Sequence, residues 1–467
     1  MAQRSKDALA SHVQLERENL NSSAKLPFRQ LLSEERIKGA LERAGVKFRK
    51  RMFDPLTTLY AFLSQAVASK GSSCEDAVSR VLAERVANNE SSCSPDTSSY
   101  CKARGRLPEQ VIANLARETG QELEHGACDE WLWKGRHVKL VDGSTAEMTD
   151  TPENQAEYPQ SRTQKAGLGF PMMRIVLLFS LAVGTVLECA IAPCRGKKTG
   201  EQTLFRQIWS ALEPGDIVLG DRLYDAYRDI AQLRARGVDT VFGMNQSRVA
   251  DFRLGRKLGS NDHVVAWKRP KYDSTRFASR AEWESLPAEM DMREIKKIVR
   301  RKGCRTRTVI VVTTLLDGDV YPGEEVTDLF AQRWNCELDL RSLKQVLGMH
   351  RLRCQSPEMV RKELWVYLLA YNLIRVRMAQ AAATHGPAPR DLSFTAAKTH
   401  IHNFEIHMNT ASKSTCNRLE EELLKAIAFS RVEKRPGRKE PRAVKKRQQK
   451  YTYLTKPRHQ ARQGLAA

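Results

Sequence analysis

The chain has 467 residues, room for two to four domains at about 100–200 residues each, and 41% are apolar, which excludes a disordered polypeptide. Lys and Arg number 77 against 55 Asp and Glu, and the net charge of +22 points to a polyanionic partner, nucleic acid before an anionic membrane. The longest apolar run, Ile175 to Leu187, falls short of the ~20 residues of a spanning helix, and the opening MAQRSKDALASH is too polar for a secretory signal. We expect a cytoplasmic protein associated with the nucleoid, with no membrane partner. The ten cysteines include no C-x-x-C pair. They read as reduced core thiols, so neither a zinc site nor a disulfide framework is expected.

Four helices are expected first. Ser33 caps one that runs to Ala44 and stops at Gly45. Pro55 opens the next, Leu56 to Ser69. Ser73 with Asp76 resembles a capping box for a third, reaching Ala87. Pro108 starts a fourth, ending near Glu124. Between the last two lies the polar, basic stretch Ser98 to Arg106. Short helices with a basic connector suit a helix-turn-helix-like DNA reader, and an ordinary helical bundle fits equally well.

The pattern changes at His137. Val138 to Val141 reads as a strand ending on Asp142. Arg174 to Leu181 and Thr185 to Ile191 form a hairpin across Gly184. Thr199 and Gln202 suggest a capping box for a helix to Leu212. Asp216 to Gly220 is the next strand and reaches Asp221. A helix follows from Asp225 to Arg236, then a strand from Asp239 to Met244. The order β-β-β-α-β-α-β is that of the ribonuclease H-like fold. The helix that completes it is delayed by a β-rich insertion near 245–323, with strand-like stretches at His263–Lys268 and Thr306–Thr314. A helical pattern resumes near Glu324, and Glu358 to Ala383 reads as a long core helix.

Carboxylates at strand ends and on a facing helix suit phosphodiester chemistry with two divalent ions about 3.5–4 Å apart. Asp142 and Asp221 close the first and fourth strands. At about 100° per residue, Phe330, Arg333, Glu337 and Lys344 fall within an arc of about 60° on one helix. Two cations beside one carboxylate suit a metal next to phosphates, and a solvated salt-bridge ladder explains the spacing as well.

Phe330-x2-Arg333-x3-Glu337-x6-Lys344 resembles the Y-x2-R-x3-E-x6-K signature of IS4-type DDE transposases. Leu140-Val-Asp142-Gly-Ser-Thr and Gly220-Asp221-Arg-Leu-Tyr224-Asp225 are similar to the family's two Asp segments. The β-rich insertion and the helical N-terminal region match as well. The resemblance implies cut-and-paste transposition. Asp142, Asp221 and Glu337 would hold two Mg²⁺ ions, for which Mn²⁺ substitutes. Arg333 and Lys344 would contact end phosphates. Phe330 stands where the family usually has Tyr, which removes one hydrogen bond worth ~1.5–3 kcal/mol to a charged group. In relatives the freed 3′-OH forms a hairpin, and an aromatic side chain holds a flipped base. Trp267, beside Lys268 and Arg269 on what suits a DNA surface, and Trp283 are the candidates for this contact in the insertion, and a buried core role is the first reading of either.

The expected organisation is an α/β protein in four parts. A helical DNA-binding region spans 1–130, and a ribonuclease H-like catalytic domain spans 131–385. A helical region at 386–430 follows, then a basic, flexible tail at 431–467. The expected partners are terminal inverted repeats, target DNA and a second copy of the chain in a synaptic homodimer. Two alternatives stay open on sequence alone: a non-catalytic DNA-binding relative, and a metal-dependent nuclease without strand transfer.

Overall fold

The structure is a computed structural model. It describes residue 28 and residues 31–463, apart from 50, 69–71, 88, 92–93, 274–278, 300–306, 409–410 and 434–451. Five helices open the described chain: α1 (Glu34–Arg43), α2 (Pro55–Val67), α3 (Cys74–Ala87), α4 (Ser98–Arg106) and α5 (Glu109–His125). Ser33 Oγ accepts from the Arg36 N–H and Ser73 Oγ from the Asp76 N–H, so both expected caps are in place. Asp54 caps α2, and Gly45 turns the chain after α1 at φ 67°.

The basic connector Ser98–Arg106 is itself a helix. Asp96 Oδ1 accepts the Ser98 N–H at 2.8 Å and starts it, and Tyr100 and Ala103 bury one face. Arg104 turns inward, with its guanidinium 5.0 Å from the Phe62 and Tyr100 ring centroids. It is a packing residue, so this stretch does not present its whole charge to a partner.

Next come β1 (Val138–Met148), α6 (Pro152–Glu157), β2 (Met172–Ser180), β3 (Val186–Pro193), α7 (Glu201–Gln207), β4 (Ile217–Gly220), α8 (Tyr227–Ala235) and β5 (Asp239–Gly243). β1 runs on well past Val141, because it pairs with β2 from Lys139 to Glu147. Asp142 therefore sits within the strand and not at its end. Thr199 does not cap α7. Its hydroxyl donates to the Gly196 carbonyl, and α7 is shorter than expected.

The insertion supplies β6 (Arg256–Gly259), β7 (Asp262–Lys268), α9 (Arg280–Ser285), β8 (Glu289–Val299) and β9 (Arg307–Thr313). It continues the central sheet, whose order is β3-β2-β1-β4-β5-β9-β8-β7-β6. β1, β4 and β5 are parallel, and their outer neighbours are antiparallel. Sequence pattern missed β6 and β8. β6 is short and largely exposed, and the charges of β8 hide its buried Met290, Met292 and Ile295.

Then follow α10 (Gly323–Ala331), α11 (Trp334–Arg341), β10 (Arg351–Leu352), α12 (Pro357–His385), α13 (Phe394–Met408), α14 (Lys413–Phe429) and α15 (Arg458–Gln463). α12 is buried along most of its length and carries α2, α5, α13 and α14 around it. One sheet face packs on this helical layer through Leu140, Ile217 and Leu219. The other packs on α7 and α8 through Val141 and Val218. The N-terminal helices thus share the core of the sheet. Residues 434–451 and 464–467 of the basic tail lie outside the described residues, and α15 falls within the rest of it.

Candidate active site

β1 and β4 pair in parallel through Val138–Ile217, Lys139–Val218 and Leu140–Leu219. The ladder stops there. Extended by two residues, the same register sets Asp142 beside Asp221. Further on, the same edge of β1 pairs with β10 at Glu147–Arg351. Residues 141–146 are left between the two ladders as an open stretch of strand edge. α11 packs against β1, and the turn after it leads into β10.

Each Asp is held locally. Asp142 Oδ1 accepts the Gly143 N–H at 2.8 Å, and Asp221 Oδ1 accepts the Leu223 N–H at 2.7 Å. Among the described residues these are the only hydrogen bonds to either carboxylate. Burial pushes the Asp142 carboxyl up to about 6, and the charge of Asp221 adds to the rise, with Glu201 contributing less. Asp225, buried nearby, is also pushed up to about 6, mainly by burial.

The expected single helix from Phe330 to Lys344 is broken twice. Gln332 and Arg333 form tight turns to Leu329 and Phe330, and α11 starts afresh at Trp334. After α11 the chain widens into a π turn over Ser342–Val346, closed by Leu347 N–H to Ser342 O at 3.0 Å. Single π turns of this kind recur at functional sites. A uniform 100° wheel therefore does not describe the segment, yet its charged residues still converge. Arg333 donates to Glu337 Oε1 at 3.2 Å, and Lys344 Nζ donates to Ser144 Oγ at 3.1 Å, two residues past Asp142 on β1. Phe330 turns its ring toward Gly243 at the end of β5. The family profile described as the transposase DDE domain matches residues 133–373, which contain all of these groups.

The chain belongs to the DDE transposase family. It is similar to the transposase InsG for insertion sequence element IS4 of Escherichia coli strain K12, with 29% identity over 360 residues, 76% of this chain and 77% of that protein. It is also similar to the transposase for insertion sequence element IS231F of Bacillus thuringiensis subsp. israelensis, at 22% over 370 residues, 70% and 73% of the two chains. A shorter stretch of 128 residues is 32% identical to the transposase for insertion sequence element IS421 of Escherichia coli. The chain is thus a DNA transposase, an enzyme that cuts DNA and transfers strands, and its family uses divalent metal. No helix among its described residues is long and apolar enough to cross a membrane.

The residues of this transposase fit a divalent cation. The donors are hard carboxylate oxygens, and the Asp142 carboxyl is held high by burial and a neighbouring like charge. Among the described residues, no three His, Cys, Asp or Glu side chains form a ready cage. Mg²⁺ does not require one, because it commonly takes one or two carboxylates together with substrate phosphates.

The transposase does not offer Trp267 to a base. Trp267 is 6% exposed, its indole donates to Glu294 Oε1 at 2.8 Å, and Arg248 lies 3.8 Å over its ring. It is a core residue of the insertion. Trp283 is half-buried, bonded to the Pro270 carbonyl and covered by Arg269 at 3.8 Å. The exposed aromatic of the site is Trp334, 58% exposed and directly after Arg333. Sequence reasoning passed over it, although a large apolar residue inside the charged motif was the available signal.

Proposed function

We propose that this transposase moves its element by cut and paste, with Asp142, Asp221 and Glu337 as its catalytic carboxylates. The observation that carries the reading is the β1–β4 register, which ends two residues before Asp142 and Asp221 on adjacent parallel strands, with the helix that bears Glu337 packed on β1. The strand order β3-β2-β1-β4-β5, with β2 reversed, supports a ribonuclease H-like core at 131–385.

The three acids hold two Mg²⁺ ions, with Mn²⁺ as a substitute. When bound, such ions supply an activated oxygen nucleophile and stabilise the leaving 3′ oxygen. The side chains set the geometry around them. Arg333 holds the Glu337 carboxylate through one hydrogen bond and presents its remaining donors to a phosphate. Lys344 adds a point charge beside Ser144. Phe330 supplies an aromatic wall without a hydroxyl, and Trp334 offers a free ring face for a base near the break. The substrates are the terminal inverted repeats and target DNA. The N-terminal region 1–130 and the basic tail 431–467 bind DNA, 386–430 braces the core, and two copies synapse two ends on nucleoid DNA.

A donor plasmid bearing the element's two ends tests this. The native chain with Mg²⁺ excises the element and joins its ends to a second plasmid. Nicks without joined products would favour a nuclease. DNA binding without breaks would favour a non-catalytic relative.

A further inference from the structure

Glu201 lies outside every motif, yet it is pressed against the catalytic strand. A Cβ built on Gly143 would stand 2.3 Å from Glu201 Cδ and 2.4 Å from its Oε2. A side chain there would push the flexible end of Glu201 aside. Gly143 directly follows Asp142, and successive residues of a strand face opposite sides. Its bare backbone lets Glu201 approach Asp142 from the other face of β1.

A second glycine does the same for a tyrosine. A Cβ on Gly220, the residue before Asp221, would meet Tyr224 Cδ2 at 2.9 Å. Tyr224 is 1% exposed, its ring packed on Phe205 and Phe242 at 5.3 and 6.3 Å between centroids. Its hydroxyl is buried and has no hydrogen-bond partner among the described residues. The acids acting on that hydroxyl are Glu201, Asp142 and Asp221, in that order. Buried polar groups are nearly always paired, so an unpaired one in the field of these carboxylates marks an arrangement that a small side-chain movement completes.

An ion pair does not explain the position of Glu201. Arg174 Nε is 3.9 Å from Glu201 Oε1, at the limit for such a contact, and both side chains are partly exposed. The Arg174 guanidinium donates instead to the Thr199 carbonyl at 2.7 Å.

We propose that Glu201 is a fourth carboxylate of the divalent-metal site. It reaches the ion beside Asp142 from the far face of β1, and the Tyr224 hydroxyl orients it by donating to its carboxylate. The inference rests on the three-acid reading of Asp142, Asp221 and Glu337. Glu201 is a metal ligand in this account, and Tyr224 is a positioning residue.

The test is binding of Mn²⁺ to the full chain on end DNA, read from the paramagnetic resonance of free Mn²⁺. Glu201→Gln weakens binding about tenfold or more, and Gly143→Ala does the same by displacing the Glu201 side chain. Tyr224→Phe weakens it on the scale of about 10–100-fold seen for residues that orient metal ligands. Glu201→Asp restores part of the loss. Metal-free DNA affinity and melting stay at the native level for Glu201→Gln, which keeps the shape of the side chain. Native Mn²⁺ affinity in Glu201→Gln, with binding lost in Asp142→Asn, would overturn the fourth carboxylate alone. Native affinity in Asp142→Asn as well would overturn the three-acid reading beneath it.

Discussion

Asp339 accepts from Arg390 Nη1 through both carboxylate oxygens, at 2.8 and 2.7 Å. Arg375 bonds the same carboxylate, which is fully buried. Arg390 also donates to the carbonyls of Ser180 and Leu181 at the end of β2. Asp339 lies two residues past Glu337, roughly on the opposite side of α11. The triad thus ties the helix that bears Glu337 to the sheet that bears Asp142.

Asp339→Ala strands two arginine charges in the core. Breaking a buried ion pair in this way costs ~3–5 kcal/mol. Urea denaturation checks the loss, and end cleavage falls with it at temperatures where the variant remains folded.

Lys344 donates to Ser144, and the proposed function gives it one phosphate contact. Lys344→Ala lowers the slope of log affinity against log salt by about 1, the change expected for one phosphate contact. A salt titration on end DNA measures it. An unchanged slope would place Lys344 away from the backbone.

Trp267 and Trp334 separate cleanly. Trp267→Ala opens a cavity in the insertion and costs ~3–5 kcal/mol. Trp334→Ala changes stability by no more than about 0.5 kcal/mol, because the side chain is largely exposed. It nevertheless weakens end cleavage, by the ~1–3 kcal/mol of one base stack. Melting curves and single-turnover cleavage together distinguish the two roles.

Burial pushes the Glu405 carboxyl up from its ordinary 4.5 to about 7, against the Phe28 N–H bond and the charge of Arg377. The folded state favours the neutral acid. The contribution to stability is full below about 4.5 and is lost as pH rises through about 7. Stability in urea therefore declines between pH 5 and pH 8 in the native chain, and Glu405→Gln flattens that decline.

The caps of α1 and α3, the hairpin of β2 and β3, and the strand leading to Asp221 were legible because each rests on local signals. The rest depends on contacts between distant segments. Asp142 was read as a strand end because nothing in Gly143 to Met148 reveals the ladder with β2 that extends β1. The breaks before Trp334 and after Arg341 leave no Gly or Pro to mark them, so a single helix was the natural expectation. Trp267 looked like a DNA contact beside Lys268 and Arg269, but alternation on β7 sends the ring inward and Lys268 outward. Glu201 was invisible because its contact with Gly143, next to Asp142, depends on how a distant helix packs on the sheet.

The central claim is that Asp142, Asp221 and Glu337 form one metal-dependent cleavage site. Single-turnover cleavage of end DNA in Mg²⁺ by the native chain, Asp142→Asn, Asp221→Asn and Glu337→Gln tests it most directly. The account predicts breaks at the repeat ends from the native chain, a loss of about a thousandfold or more in each variant, equivalent to ~4 kcal/mol of barrier, and unchanged DNA binding by all four. Cleavage at the native rate by any one variant would contradict it.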